Sequence, residues 1–345
     1  MDNPDILKQH LARAAFALMA CAFGQTTRAQ SPESFFRHKQ LSLIVGYNPG
    51  GSYDLYGSLA ANAFSRYIPG NPTVVLKYLP GFGGLKAANY LQTQAPRDGL
   101  TVALIAQSAA LRQTLGEPGI EFDVRKLSWI GRLASAVEVT LAWHTSPVKT
   151  LADARTHETV LAATSAGSTT DIFPRLMNQF AGTKFKIVKG YPGTTGAALA
   201  MERGEVEGAH ETLDTLLFSK PDWLRDKKVS ILVQYALQRH RAFPDVPAMI
   251  DVARTAQERQ LIELFGSTAE IGRALVSSPD LPPGRLEILR RAFDAMVADP
   301  AFQNEVQQRN LDLGPMTGEQ LQARVAQSLE VPRDVVQKAI AISAQ

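Results

Sequence analysis

The feature that most restricts this chain is a regular alternation of continuous apolar runs with stretches of helical period. Residues 41–47 (LSLIVGY) are nearly all apolar, as in a strand covered on both faces. Gly50-Gly51-Ser52 follows. From 54 to 68, Leu55, Leu59, Ala63 and Phe64 recur at helical spacing until Pro69-Gly70 stops them. Residues 73–79 read as a second strand, 80–84 as a turn, 85–91 as a second helix, and 100–106 as a third strand after the turn at 96–99. This βαβαβ order demands parallel strands with right-handed crossovers.

The pattern restarts downstream. Residues 137–143, 159–164, 185–189 and 229–235 read as strands, with helical stretches near 171–180 and 195–203. The C-terminal part is largely helical, with amphipathic candidates at 285–298, 301–309 and 318–329. A length of 345 residues suits about two domains of ~150 residues. No internal repeat or low-complexity linker separates them, so the expectation is two lobes joined by crossing strands.

Formal net charge is +3, and no tract of Lys or Arg is present, which excludes nucleic acid as the main partner. The N-terminus reads as an export signal over 1–29. Lys8 and Arg13 precede the apolar run 14–24 (AAFALMACAFG), and cleavage after Ala29 leaves Thr27 and Ala29 at the small-residue positions. Cys21, the only cysteine, lies inside that signal, so the mature chain has no thiol and suits an oxidising periplasm. Leu18-Met19-Ala20-Cys21 loosely resembles a lipoprotein cleavage box. A lipid anchor at Cys21 is the lesser alternative.

Two Gly/Ser/Thr-rich loops each join a strand to a helix: 47–54 (YNPGGSYD) and 165–171 (SAGSTTD). A loop entering a helix presents unpaired backbone N–H groups and the positive end of the helix dipole, which makes an anion site without a charged side chain. Neither loop contains Lys or Arg, so the expected binding is by neutral dipoles and hydroxyls. The competing reading is that Ser52 or Asp54, and Thr170 or Asp171, only cap their helices. Residues 190–195 (GYPGTT) form a third polar strand–helix turn, with Tyr191 and Thr194 as candidate cleft residues. The turn 81–86 (GFGGLK) lacks the spacing of a dinucleotide or phosphate loop and reads equally as a packing turn.

No catalytic, metal or cofactor site is expected. The six histidines form no H-x-x-x-H pair, and no G-x-S-x-G elbow exists. Glu211 and Asp214 follow His210, but proximity in sequence does not make an acid–base pair.

Taken together, these segments resemble the extracytoplasmic binding proteins of tripartite tricarboxylate transporters, the Bordetella uptake gene family, over nearly all of the mature chain. Residues 49–54 (PGGSYD) resemble the family's P-x-G-G-x-x-D loop, 80–84 (PGFGG) its P-G-A-G-G turn and 95–99 (APRDG) its A-x-P-x-D-G turn. Ser165 to Asp171 stand at its second carboxylate loop, and 191–194 (YPGT) resemble its Y-x-G-T segment. Residues 239–247 and 299–302 resemble two C-terminal signatures. The resemblance implies an α/β, type II periplasmic-binding-protein fold, with two α/β lobes joined by crossing strands and a ligand cleft between them. The expected first lobe is discontinuous, 36–135 and 238–345, and the second is 136–237.

The implied ligand-binding set is Gly50, Gly51, Ser52 and Asp54 in the first loop and Ser165, Gly167, Ser168 and Thr169 in the second, joined by Tyr191 and Thr194. The implied role is a non-enzymatic, monomeric receptor that passes a small carboxylated ligand to a membrane transporter. A receptor for an ABC importer, a sensor presenting its ligand to a two-component kinase, and, less favoured, a secreted hydrolase are the alternatives. The chain departs from the pattern in having Gly57 and Ser58 where the family has Arg, and Asp171 where it has His. An added acid there is expected to disfavour a dicarboxylate or to favour a ligand with an amino group.

Overall fold

The structure is a computed structural model that describes residues 32–164 and 167–343. The export signal, Cys21 and Ser165 lie outside the described residues. The first sheet is built from β1 (Gln40–Val45), β2 (Thr73–Tyr78), β3 (Thr101–Leu104), β4 (Ser128–Arg132), β10 (Ala274–Ser277) and β11 (Met316–Thr317). Its order is β11-β4-β10-β3-β1-β2. The second contains β5 (Glu138–Trp143), β6 (Glu158–Ala162), β7 (Lys184–Val188), β8 (Gly208–Thr212) and β9 (Val229–Tyr235), ordered β7-β6-β8-β5-β9.

The apolar runs are continuous because each sheet is covered on both faces. Leu41, Leu43 and Val45 of β1 enter one core cluster while Ile44 enters the cluster on the other side. On the first side pack the helices α1 (Ser52–Phe64) and α7 (Arg285–Ala298), through Leu59, Phe64, Leu289 and Phe293. On the other pack α2 (Leu85–Thr93) and α9 (Gly318–Ser328), through Leu85, Leu91, Leu321 and Val325. In the second sheet, β5 sends Val139 and Leu141 towards α5 (Gly193–Glu202) and Ala142 to the opposite face. That opposite face is covered by α4 (Thr169–Ala181), α6 (Ala256–Ile271) and α10 (Arg333–Ser343). Thus α6 and α10, which lie within 238–345, bury their apolar sides in the core cluster on this face of the second sheet. The remaining helices of note are α3 (Ala109–Thr114) and α8 (Pro300–Gln308).

The expected parallel pairing holds for β1 with β2 and β3, and for β6 with β7 and β8. It is broken where the chain crosses between sheets: β10 runs antiparallel to β3 and β4, and β5 antiparallel to β8 and β9. The two crossing segments bond to each other. Leu133 N donates to Arg273 O, Arg273 N to Ala134 O and Ala136 N to Ala269 O, each at 2.9 Å. This ladder sets the hinge and places Arg273 at the junction of the lobes. Among the described residues, no helix is long and apolar enough to cross a membrane.

Candidate functional site

The two Gly/Ser loops share one construction. In the first, Gly50 takes φ +95°, and its N–H donates to Asp54 Oδ2 at 2.8 Å. In the second, Gly167 takes φ +74°, and its N–H donates to Asp171 Oδ2 at 3.0 Å. Each acid stands at the third position of its helix and reaches back four residues, while a glycine accepts the left-handed backbone that the turn requires. The acids therefore brace the loops. Asp54 also accepts Tyr78 Oη at 2.6 Å and Ser58 Oγ at 3.3 Å. Asp171 is wholly buried and pairs with Arg175, whose Nε lies 2.9 Å away. Its charge is compensated inside its own helix, so the expectation that it acts on the ligand as an added acid is not supported.

The serines are not caps. Neither Gly51 nor Ser168, the residues that start the two helices, makes a side-chain capping bond. Ser168 Oγ lies 2.7 Å from Thr170 Oγ1, and Thr170 Oγ1 also accepts Thr164 N at 2.9 Å, so the second loop is knotted by its own hydroxyls. Thr169 is half-buried beside them. The third turn lies against this loop, with Gly190 N on Thr164 O at 2.9 Å and Tyr191 N on Ala163 O at 3.3 Å. Tyr191 is half-buried and Thr194 exposed.

Ser52 has a different neighbour, one that nothing in the loop sequence announces. Its Oγ accepts a bond of 2.8 Å from Arg273, which is wholly buried and 221 residues away in the chain. The loops themselves lack a cation, as read from the sequence, but a buried guanidinium from the crossing segment stands beside the first. Taking a guanidinium out of water is costly unless it is paired and fully bonded. Arg273 donates from Nη1 to Gln107 Oε1 at 2.9 Å and pairs through Nη2 with Asp214 at 3.2 Å. Its guanidinium lies 4.3 Å from the Tyr53 ring centroid. Its Nε is buried with no hydrogen-bond partner.

From Arg273 the network runs into the second sheet. Gln107 Nε2 donates to Glu138 at 2.7 Å, and the other oxygen of Glu138 bonds His210 Nε2. His210 packs beside Tyr235 and Phe173, the latter on the first turns of α4. A polar chain thus runs from Ser52 at the start of α1 to His210, whose ring packs on Phe173 of α4. His210, Glu211 and Asp214, close in sequence, take separate roles. His210 bonds Glu138, Asp214 pairs with Arg273, and Glu211 is buried apart, its carboxyl pushed up to about 7 by that burial. Burial also raises Asp214 above the ordinary carboxylate range, against the opposing pull of Arg273.

The turn after β2 serves packing. Tyr47 Oη donates to Gly83 O at 3.1 Å, and Arg112 of α3 bonds Phe82 O and lies 4.9 Å from the Phe82 ring centroid. Among the described residues, no group of three His, Cys, Asp or Glu side chains is placed to hold a metal ion.

Comparison with known proteins agrees with this architecture. The tripartite tricarboxylate transporter family receptor profile matches residues 61–340. A Cupriavidus necator protein, the UPF0065 protein in the gbd 5′ region, is 24% identical, covering 96% of this chain and 97% of its own length. The periplasmic binding protein BugD superposes with a TM-score of 0.68 at 17% identity, covering 89% of this chain and 99% of its own. R. palustris Rpa4515, solved with adipate, gives 0.67 at 17% identity, with 89% and 97% covered. MatC from Rhodopseudomonas palustris, solved with malate, gives 0.62 at 17% identity, with 88% and 99% covered. These structures share the two-lobed fold of periplasmic binding proteins, and the profile match extends over most of the chain: the protein belongs to the tripartite tricarboxylate transporter family of receptors.

Proposed function

We propose that this receptor works outside the cytoplasm, closes its two lobes on a small carboxylate, and hands it to a tripartite tricarboxylate-type membrane transporter. The observation that carries the reading is the pair of matched loops, one on each sheet, each a glycine turn braced by an acid at the start of a helix. Such helix starts favour an anion through their N–H groups and dipole. Gly50, Gly51, Ser52, Ser168 and Thr169 form the pinch, Asp54 holds the first loop in shape, and Tyr191 and Thr194 border the second. Ser165 completes the second loop by sequence. Contacts to both lobes favour the closed state, because binding shifts the population towards the conformer that makes more of them. The adipate and malate of the related structures define the first ligands to try. The test is thermal unfolding of residues 30–345 against carboxylates, amino acids and sugars. A ligand at a hundred times its Kd adds about 2.7 kcal/mol of stability. A shift with carboxylates is expected, and a shift confined to sugars or cations sinks the carboxylate pinch.

A further inference from the structure

We propose that Arg273 is the cation that recognises the ligand carboxylate, and that Asp214 occupies it as an internal substitute until the ligand arrives. This rests on the carboxylate reading above and adds a specificity residue and a latch to it.

Three observations converge. First, Arg273 is the one buried Lys or Arg side chain among the described residues, and it touches Ser52 of the first loop directly. Second, its ion partner belongs to the other lobe. Asp214 follows β8 of the second sheet, while Arg273 immediately precedes β10 of the first. The pair therefore ties the lobes together. Third, the guanidinium is incompletely bonded. Nε is buried without a partner, and Asp214 meets Nη2 at 3.2 Å through one oxygen. An Arg–carboxylate pair at its best is bidentate and shorter, at about 2.7–2.9 Å. Asp214 is thus a strained fit for a site that a free carboxylate can fill with two bonds, Nε included.

Displacement has a consequence. Through its other oxygen Asp214 already accepts Tyr56 Oη at 3.4 Å, and Asp312 and His240 are the other charged or titratable groups bearing on it. Asp312 is already engaged by His240 and Arg241. A buried carboxylate that loses its cation takes up a proton. Ligand binding is therefore linked to proton uptake at residue 214, and affinity rises as pH falls.

The experiment is isothermal titration of the full mature chain with adipate, malate and benzoate at pH 6 and pH 8, in buffers of differing ionisation heat, for the wild type, Asp214→Asn and Arg273→Gln. Asp214→Asn is expected to bind the preferred acid at least tenfold more tightly and to lose both the proton uptake and the pH dependence. Arg273→Gln is expected to weaken binding at least a hundredfold, with its folding checked by circular dichroism. Asp214→Asn keeps the test decisive if Arg273→Gln fails to fold. Carboxylate binding that Asp214→Asn leaves unchanged or weakens overturns the latch while sparing the receptor reading. Binding of no acid by either the wild type or Asp214→Asn overturns both. Binding only by Asp214→Asn supports the latch.

Discussion

On the first sheet's side of the cleft, Arg273 stands buried against the hydroxyl of Ser52 and the amide of Gln107, whereas the second lobe buries Glu138, Asp171, His210, Glu211 and Asp214. The same loop device serves both lobes, yet their electrostatics are opposed. A helix start and a guanidinium both carry positive potential, and the first lobe has the two side by side. The second lobe presents the same helix start on a wall that is rich in acids, and each acid needs its own relief. Asp171 takes Arg175, Glu138 takes Gln107 and His210, Glu211 is raised towards its neutral form, and Asp214 borrows Arg273 from across the hinge. Matching backbone motifs therefore do not make equivalent half-sites. Buried side chains from distant segments set the charge that each one shows.

That contrast can be broken at several points. The largest effect is expected from Asp171→Ala, which leaves the nearly buried Arg175 without its counter-charge. A loss of about 3 kcal/mol in urea unfolding is expected, and a loss below about 1 kcal/mol would show that the second loop does not depend on its internal pair. Next, Gly51→Val tests the first pinch. Gly51 has an ordinary φ of −97°, and a Cβ there meets nothing within 4 Å, so the ligand-free fold tolerates it. Carboxylate affinity is expected to fall at least a hundredfold, about 2.7 kcal/mol, with thermal unfolding of the ligand-free protein nearly unchanged. The double change Ser168→Val with Thr169→Val is the matching test of the second loop.

Glu211 gives a pH signature confined to the second lobe. Its folded value of about 7 lies above the ordinary 4.5, so the folded chain keeps a proton that the unfolded chain has lost. Stability from this group is complete below about pH 4.5 and is lost as pH rises through about 7. Denaturant unfolding across pH 5–8 should show a decline of about 2 kcal/mol, absent in Glu211→Gln. A decline that persists in the variant would assign the effect to another group. The smallest effect is expected from Asp54→Ala. Its partners Gly50, Ser58 and Tyr78 are within reach of water, so the loss is about 1 kcal/mol, several times less than for Asp171. Equal losses at Asp54 and Asp171 would erase the difference between the loops.

Much of the fold was legible because two-sided burial writes itself as an unbroken apolar run. Strands such as β1, β5 and β9 fall where LSLIVGY and its counterparts predict them. β8 escaped that reading: Gly-Ala-His-Glu-Thr carries no apolar period, because His210 and Glu211 are polar groups of a buried interior and Thr212 is half-buried. β4 and β10 escaped for a different reason. They are short strands next to the crossing, and their pairing depends on partners more than 130 residues away. The loops were legible as glycine turns at helix starts. The bracing role of Asp54 and Asp171 was visible only as a capping alternative, and it resolves into a bond to the preceding glycine rather than a serine cap.

By itself, the order of residues determined the alternating α/β architecture, the two glycine turns at strand ends and the family likeness, since each depends on local pattern or motif. It carried no sign that Arg273 would sit on Ser52, or that Asp214 would meet it from the other lobe. Those positions are far apart in the chain, and neither has a local signature. Only the closure of two sheets around a hinge brings them together, because the desolvation of a charge, and hence its need for a partner, exists only once the surrounding core has formed.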